Sequence, residues 1–222
     1  QLYALPAGNT GAQMGGWYRK EIKTIDDLKG LKMRIAGLAG EIMSKVGVTP
    51  QQIAGSDVYP ALEKGTIDAT EFVGPYDDLK LGFYKVAPYY YYPAWWEGGP
   101  TVHAFFNLDK FNALPENYKR ILTDACAAAN ARMLARYDAS NAQALRELVA
   151  GGAQLRAFSS DILDTCHKAA KETYADLSAK NEWFKKLYDS QQTFKQDAYL
   201  WAQIAEYSFD TYQMIQQRQG TL

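Results

Sequence analysis

Apolar and polar positions in the first hundred residues switch between short strand-like runs and helical spacings. Gln1-Leu2-Tyr3-Ala4-Leu5 reads as a strand already under way, as though the numbering began inside a domain. Thr24 caps a short helix with Asp26 and Asp27 in its first turn and Gly30 at its end. Lys32-Met33-Arg34-Ile35 is a compact strand; a helix from about Glu41 to Val46 and a strand at Gln51 to Ala54 follow. Asp57 is placed to cap a helix over Val58 to Lys64 that Gly65 stops, and Ile67 to Val73 reads as a strand closed by Gly74-Pro75. This alternation predicts an α/β unit with a mostly parallel sheet, whose binding residues sit at strand ends and in the loops after them.

From Tyr89 to Pro100 aromatics and turn formers crowd together, which argues against helix, and Thr101 to Asn107 resumes as a strand. Pro115 suits a first helical residue, opening a long helical region toward Gly151-Gly152 with Ile121, Leu122, Leu134, Leu145 and Leu148 on its apolar face. A strand over Leu155 to Phe158 and a helix capped by Ser160 come next. From about Glu182 to Gln217, Phe184, Leu187, Tyr188, Phe194, Trp201 and Tyr212 recur at helical steps, predicting one helix too long for a small domain to cover. Its apolar side needs a second domain or another subunit. The expected division is an α/β ligand-binding part at 1–112 and a part at 113–222 made of a long connecting helix, a returning strand and C-terminal helices.

Composition narrows the class. With 222 residues, net charge -1, 47% hydrophobic and 22% charged residues, the chain is neither a disordered tail nor a collagen-like fibre. It lacks the basic excess that phosphate neutralisation demands, so no nucleic-acid partner is expected. No apolar stretch reaches the ~20 residues of a membrane span. Cys126 and Cys166 lie in helical patterns and read either as two separate small side chains or as one disulfide, which spacing does not decide.

Enzyme templates fail. The chain has no G-x-S-x-G, P-loop, H-E-x-x-H or C-x-x-C pattern. His103 falls in a strand and His167 beside Cys166 on a helix, where consecutive side chains diverge. Arg34, between Met33 and Ile35, would be costly without a partner. It is either a fork for a substrate carboxylate or half of an internal ion pair. Glu71 ends a strand before Gly74-Pro75, and Glu97 follows two tryptophans. Each is a solvated loop carboxylate, or a semi-apolar one that needs a proton, an arginine or a hard cation. Gln13, in the glycine-rich loop from Gly8 to Gly16, binds a ligand or braces the turn.

Gly8 to Trp17 and Leu28 to Ile35 resemble the periplasmic solute-binding proteins of TRAP (tripartite ATP-independent periplasmic) transporters, as does Ala61-Leu62-Glu63-Lys64-Gly65-Thr66-Ile67-Asp68-Ala69. Thr70-Glu71-Phe72-Val73-Gly74-Pro75-Tyr76-Asp77-Asp78 and Tyr89 to Trp96 resemble more narrowly the branch that binds 2-oxo acids such as pyruvate. The resemblance implies two α/β domains around a cleft, long helices, a periplasmic location and no catalysis. It implies that Arg34 pairs with the ligand carboxylate. It further implies that Gln13, Glu71, the backbone carbonyl of Phe72 and Glu97 surround a sodium ion, where relatives commonly carry Trp at the position of Phe72. Trp17, Trp95 or Trp96 would limit the ligand's tail. It also implies a homodimer through the terminal helix and delivery of a 2-oxo or 2-hydroxy acid to a TRAP membrane permease. Set against that family, the chain is expected to lack the signal peptide and most of the first domain.

Charge bears on the metal. Arg34 and sodium supply two positive charges against three negative from Glu71, Glu97 and a monocarboxylate, whereas calcium would bring the pocket to zero. Calcium therefore remains the alternative. A metal-assisted lyase or hydrolase acting on a keto acid, with Glu71 or Glu97 as base, is the rival function.

Overall fold

A computed structural model describes residues 1–221. Among these the elements run β1 (Leu2–Asn9), β2 (Trp17–Tyr18), β3 (Lys32–Arg34), α1 (Gly37–Lys45), β4 (Thr49–Gln51), α2 (Gly55–Glu63), β5 (Ala69–Thr70), α3 (Pro75–Leu81) and β6 (Tyr89–Tyr92). They continue with β7 (Thr101–Asn107), α4 (Leu108–Asn112), α5 (Glu116–Ala150), β8 (Gln154–Ala157), α6 (Ser160–Lys180), α7 (Glu182–Ile204) and α8 (Glu206–Gln219). Ile25–Leu28 is a 3-10 turn after Thr24, whose backbone N–H donates to Asp27 Oδ2 at 2.8 Å.

One sheet has the order β4-β3-β5-β2-β6-β8. The β3/β4, β3/β5 and β6/β8 pairs are parallel, while β2 runs antiparallel to both β5 and β6 and joins the two parallel sets. The sheet is therefore mixed. β8, beyond residue 112, completes the same sheet as the earlier strands. Separately, β1 and β7 form an antiparallel ribbon from Leu2↔Asn107 to Asn9↔Thr101, with a register shift between Pro6 and Gly8.

The sheet's alternation explains its core. Met33 is buried between exposed Lys32 and half-buried Arg34, and Trp17 and Tyr90 are fully buried in a cluster with Val58, Leu62, Ile67, Phe83 and Leu148. Each such side chain contributes about 1.5–3 kcal/mol on burial. Gly16 sits at φ 93°, and a Cβ there would lie 2.6 Å from the Thr70 carbonyl oxygen, so only glycine lets the loop before β2 close onto β5.

Several expectations shift. Ala54, not Asp57, precedes α2, and Asp57 lies in its first turn. The Gln51 to Ala54 strand is instead Thr49–Gln51, and the Ile67 to Val73 strand shortens to Ala69–Thr70. β2 and β6 were not anticipated.

Two compact units are distinguished, Gln1–Ala170 and the segment from Lys171 onward. In the second, the expected single terminal helix is two. They meet at Ala205, whose ψ of -100° leaves the helical range without a glycine or proline to mark it. Neither α7 nor α8 buries a residue. No helix among the described residues is long and apolar enough to cross a membrane.

Candidate functional site

The parallel strands β3 and β5 end on the same edge, and their last residues, Arg34 and Thr70, are in register. One step further, the Glu71 N–H donates to the Arg34 carbonyl at 3.1 Å. This puts both side chains at the carboxyl ends of the strands, where open α/β sheets bind ligands. Arg34 Nη1 donates to the Glu71 carboxylate and, at 3.2 Å, to the Glu71 backbone carbonyl. The Arg34 side chain is 21% exposed and that of Glu71 12%. The guanidinium carbon lies 5.7 Å from the centre of the Phe72 ring, so Arg34, Glu71 and Phe72 form one cluster. The two readings of Arg34 are compatible. Its ion pair uses Nη1, and a guanidinium has further donors for a bound carboxylate.

The Gln13 loop is tied to this cluster by its backbone. The Met14 N–H donates to the Val73 carbonyl at 3.1 Å and the Gly15 N–H to the Tyr91 carbonyl at 2.7 Å. Gln13 Oε1 is buried without a hydrogen-bond partner. Leaving an amide oxygen so costs about 1–3 kcal/mol. Glu97 sits in a turn closed by its N–H to the Ala94 carbonyl at 3.2 Å. Its loop lies on the loop after β1, since a Cβ on Gly99 would come 3.0 Å from the Gly11 carbonyl oxygen.

Electrostatics link the carboxylates. Burial pushes the Glu71 carboxyl up; Arg34 opposes this, Glu97 and Asp78 reinforce it, and the result is a pKa of about 7. Burial also raises Glu97. Each carboxylate is thus short of positive charge. A hard cation would supply it. Among the described residues no three His, Cys, Asp or Glu side chains converge as for a metal. Two carboxylates, an amide and a backbone carbonyl fit an oxygen-seeking ion such as sodium or calcium rather than zinc.

Two aromatic expectations part company. Trp17, expected as a pocket wall, is fully buried. It stacks on Tyr90 with ring centres 3.7 Å apart, and its Nε1 donates to Asp78 Oδ2 at 2.9 Å. β2 lies inside the sheet between β5 and β6, and Trp17 packs into the core cluster with Tyr90 and Phe83. Trp96 is half-buried and meets Trp95 edge to face at 5.3 Å, and Trp95 Nε1 is a buried donor without a partner. Asp78, which the sequence offers only as the last residue of the Thr70 to Asp78 motif and with no role of its own, is buried here as the acceptor for Trp17. A separate recess of about 650 Å³ is lined by Tyr76, Lys80, Arg132, Met133, Arg136 and Tyr137 and includes none of the clustered residues.

The strand ends thus bring Arg34 and Glu71 together beside a loop whose Gln13 oxygen is buried and unpartnered, groups suited to a small anion or a cation. The chain belongs to the family described as bacterial extracellular solute-binding protein, family 7, which it matches over residues 2–181. It is similar to a monocarboxylate 2-oxoacid-binding periplasmic protein of Nostoc sp. (strain PCC 7120 / SAG 25.82 / UTEX 2576), at 46% identity over 207 residues, 93% of this chain and 57% of that protein. Among solved structures it is similar to a TRAP transporter solute binding protein from Bordetella bronchiseptica RB50, a mixed occupancy dimer with copurified calcium and picolinate in one active site and an apo site. Identity there is 48% and the TM-score 0.96, over 99% of this chain and 65% of that one. A TRAP periplasmic solute binding protein from Pseudoalteromonas atlantica T6c with bound sodium and pyruvate matches at 38% identity and a TM-score of 0.89, over 94% of this chain and 64% of that one. The chain spans 57% to 65% of the length of these relatives.

Proposed function

We propose that the chain forms the carboxylate-and-cation wall of a periplasmic binding protein that captures a small 2-oxo monocarboxylate, such as pyruvate, and delivers it to a TRAP membrane permease. The observation that carries the reading is the Arg34–Glu71 pair at the strand ends, tied through Met14 and Val73 to a loop whose Gln13 oxygen is buried and unsatisfied. Arg34 would hold the ligand carboxylate with donors beyond Nη1. Gln13 Oε1, Glu71, the Phe72 carbonyl and Glu97 would hold the cation, which supplies positive charge to the ligand's carboxylate and keto oxygens. The Trp95 N–H would offer one more donor, and Trp96 would limit the tail. Relatives with calcium and with sodium support either ion.

The apolar faces of α7 and α8 support a homodimer. Trp183, Phe194, Trp201 and Tyr207 are 65% to 73% exposed, more large apolar surface than a lone chain of this kind presents. Sedimentation should show a dimer that Trp201→Asp weakens.

The function is tested by thermal stability of the intact gene product against 2-oxo and 2-hydroxy acids, each with sodium or calcium. A rise in Tm that needs both acid and cation, with pyruvate recovered unaltered in an NMR time course, is expected. Turnover of pyruvate would instead establish the keto-acid lyase, and no shift with any acid would end the proposal.

A further inference from the structure

Near the proposed cation site lies a buried carboxylate that has no cationic partner among the described residues. Asp78 is 1% exposed. Its Oδ2 accepts from Trp17 Nε1 at 2.9 Å and from the Tyr90 hydroxyl at 2.7 Å, and its Oδ1 faces the Val73 N–H at 3.4 Å. All three are neutral donors. They solvate a negative charge without cancelling it. An amide could not replace this carboxylate, because one of its ends would turn an NH2 group toward another donor.

The position matters as much as the charge. Val73 is next to Phe72 and two residues from Glu71, and its carbonyl anchors the Gln13 loop through Met14. Through the Val73 N–H the Asp78 carboxylate is held one residue away from the Phe72 carbonyl proposed to face the cation. Burial raises Asp78 itself to about 6, so it is charged in an assay near pH 8. With Asp78 counted, Glu71, Glu97, Asp78 and a monocarboxylate oppose Arg34, and even a divalent ion leaves the neighbourhood negative.

We propose that Asp78 determines ion preference: its buried carboxylate, fixed by Trp17, Tyr90 and Val73 behind the strand end, biases the site toward divalent over monovalent cations. This rests on the reading that Gln13, Glu71, Phe72 and Glu97 hold a cation. A fixed charge acts on an ion in proportion to the ion's own charge. A residue that merely braced the fold would weaken both ions alike.

The test is calorimetric titration of calcium and of sodium into the intact gene product with saturating pyruvate, for the wild type, Asp78→Asn and Tyr90→Phe. Asp78→Asn should lose about tenfold in sodium affinity and about a hundredfold in calcium affinity. Tyr90→Phe keeps the charge but removes one of its donors. It should lower Tm while holding the calcium-to-sodium ratio within about twofold. Equal losses for the two ions in Asp78→Asn, or no loss, overturn the proposal. So does a collapsed ratio in Tyr90→Phe, which decides the matter even if Asp78→Asn fails to fold. A wild type that takes up neither ion would refute the cation site itself, and this proposal with it.

Discussion

Arg34→Ala probes the ion pair on which the site is built. Both side chains are largely buried, and Glu71 is pushed up by burial, with Glu97 and Asp78 adding to the push. Removing one member of a buried pair costs about 3–5 kcal/mol. The fifth of Arg34 that remains exposed places the loss at the lower end, about 3 kcal/mol. For a chain of this size that is a fall in Tm of about 6–12 °C. The loss should be greater near pH 8 than near pH 5, because Glu71 left alone is relieved by a proton at low pH. Glu71→Gln removes the stranded charge, so the double variant should be more stable near pH 8 than Arg34→Ala alone, by about 2 kcal/mol. Scanning calorimetry of the four proteins at both pH values, without added ligand or cation, measures this. A fall under about 2 °C for Arg34→Ala at both pH values, or a double variant no more stable than the single one, would refute the reasoning.

Gly16→Ala should cost more than about 2 kcal/mol in urea unfolding, because it adds a positive-φ strain to a Cβ placed 2.6 Å from the Thr70 oxygen; an unchanged midpoint would show that the loop is not held there. In cation-free protein, Glu71 titrates near 7 instead of 4.5. The folded state then binds the proton more tightly, so this contribution, about 3 kcal/mol, is present below about pH 4.5 and lost as pH rises through about 7. Urea midpoints against pH should show the decline, Glu71→Gln should flatten it, and equal slopes would contradict the assignment. Trp17→Phe should lower stability by about 1–3 kcal/mol through its lost bond to Asp78 without altering preference for ligand tail length. A changed preference in competition binding would return Trp17 to the pocket wall.

Legibility in the sequence followed the range of the interactions. β7 matches its predicted span because a run rich in β-branched and aromatic residues is preceded by turn formers and ends on Asn107, whose side chain caps α4. The long α5 was equally plain, with Pro115 before it and Gly151 after. β2 and β6 went unread because the first has two residues and the second is a run of four tyrosines without polar alternation. Their pairing is a tertiary fact. The helix break at Ala205 carries no local signal. At the site, Arg34, Glu71, Glu97 and Gln13 stood out as polar groups in apolar or glycine-rich settings. The burial of Trp17 and the place of Asp78 were not legible, because which face of a two-residue strand points inward depends on its neighbours and the hydrogen bond joining Trp17 to Asp78 crosses 61 residues of sequence.

The central claim is that carboxylate and cation are held together, by Arg34 on one side and the oxygens of Gln13, Glu71, Phe72 and Glu97 on the other. Calorimetric titration of pyruvate into the intact gene product tests it most directly, first after removal of metal and monovalent sodium and then with sodium or calcium restored. The account predicts heat of binding only when a cation is present, and none from Arg34→Ala under either condition. Pyruvate binding of equal strength without any cation, or retained at micromolar affinity by Arg34→Ala, would contradict it.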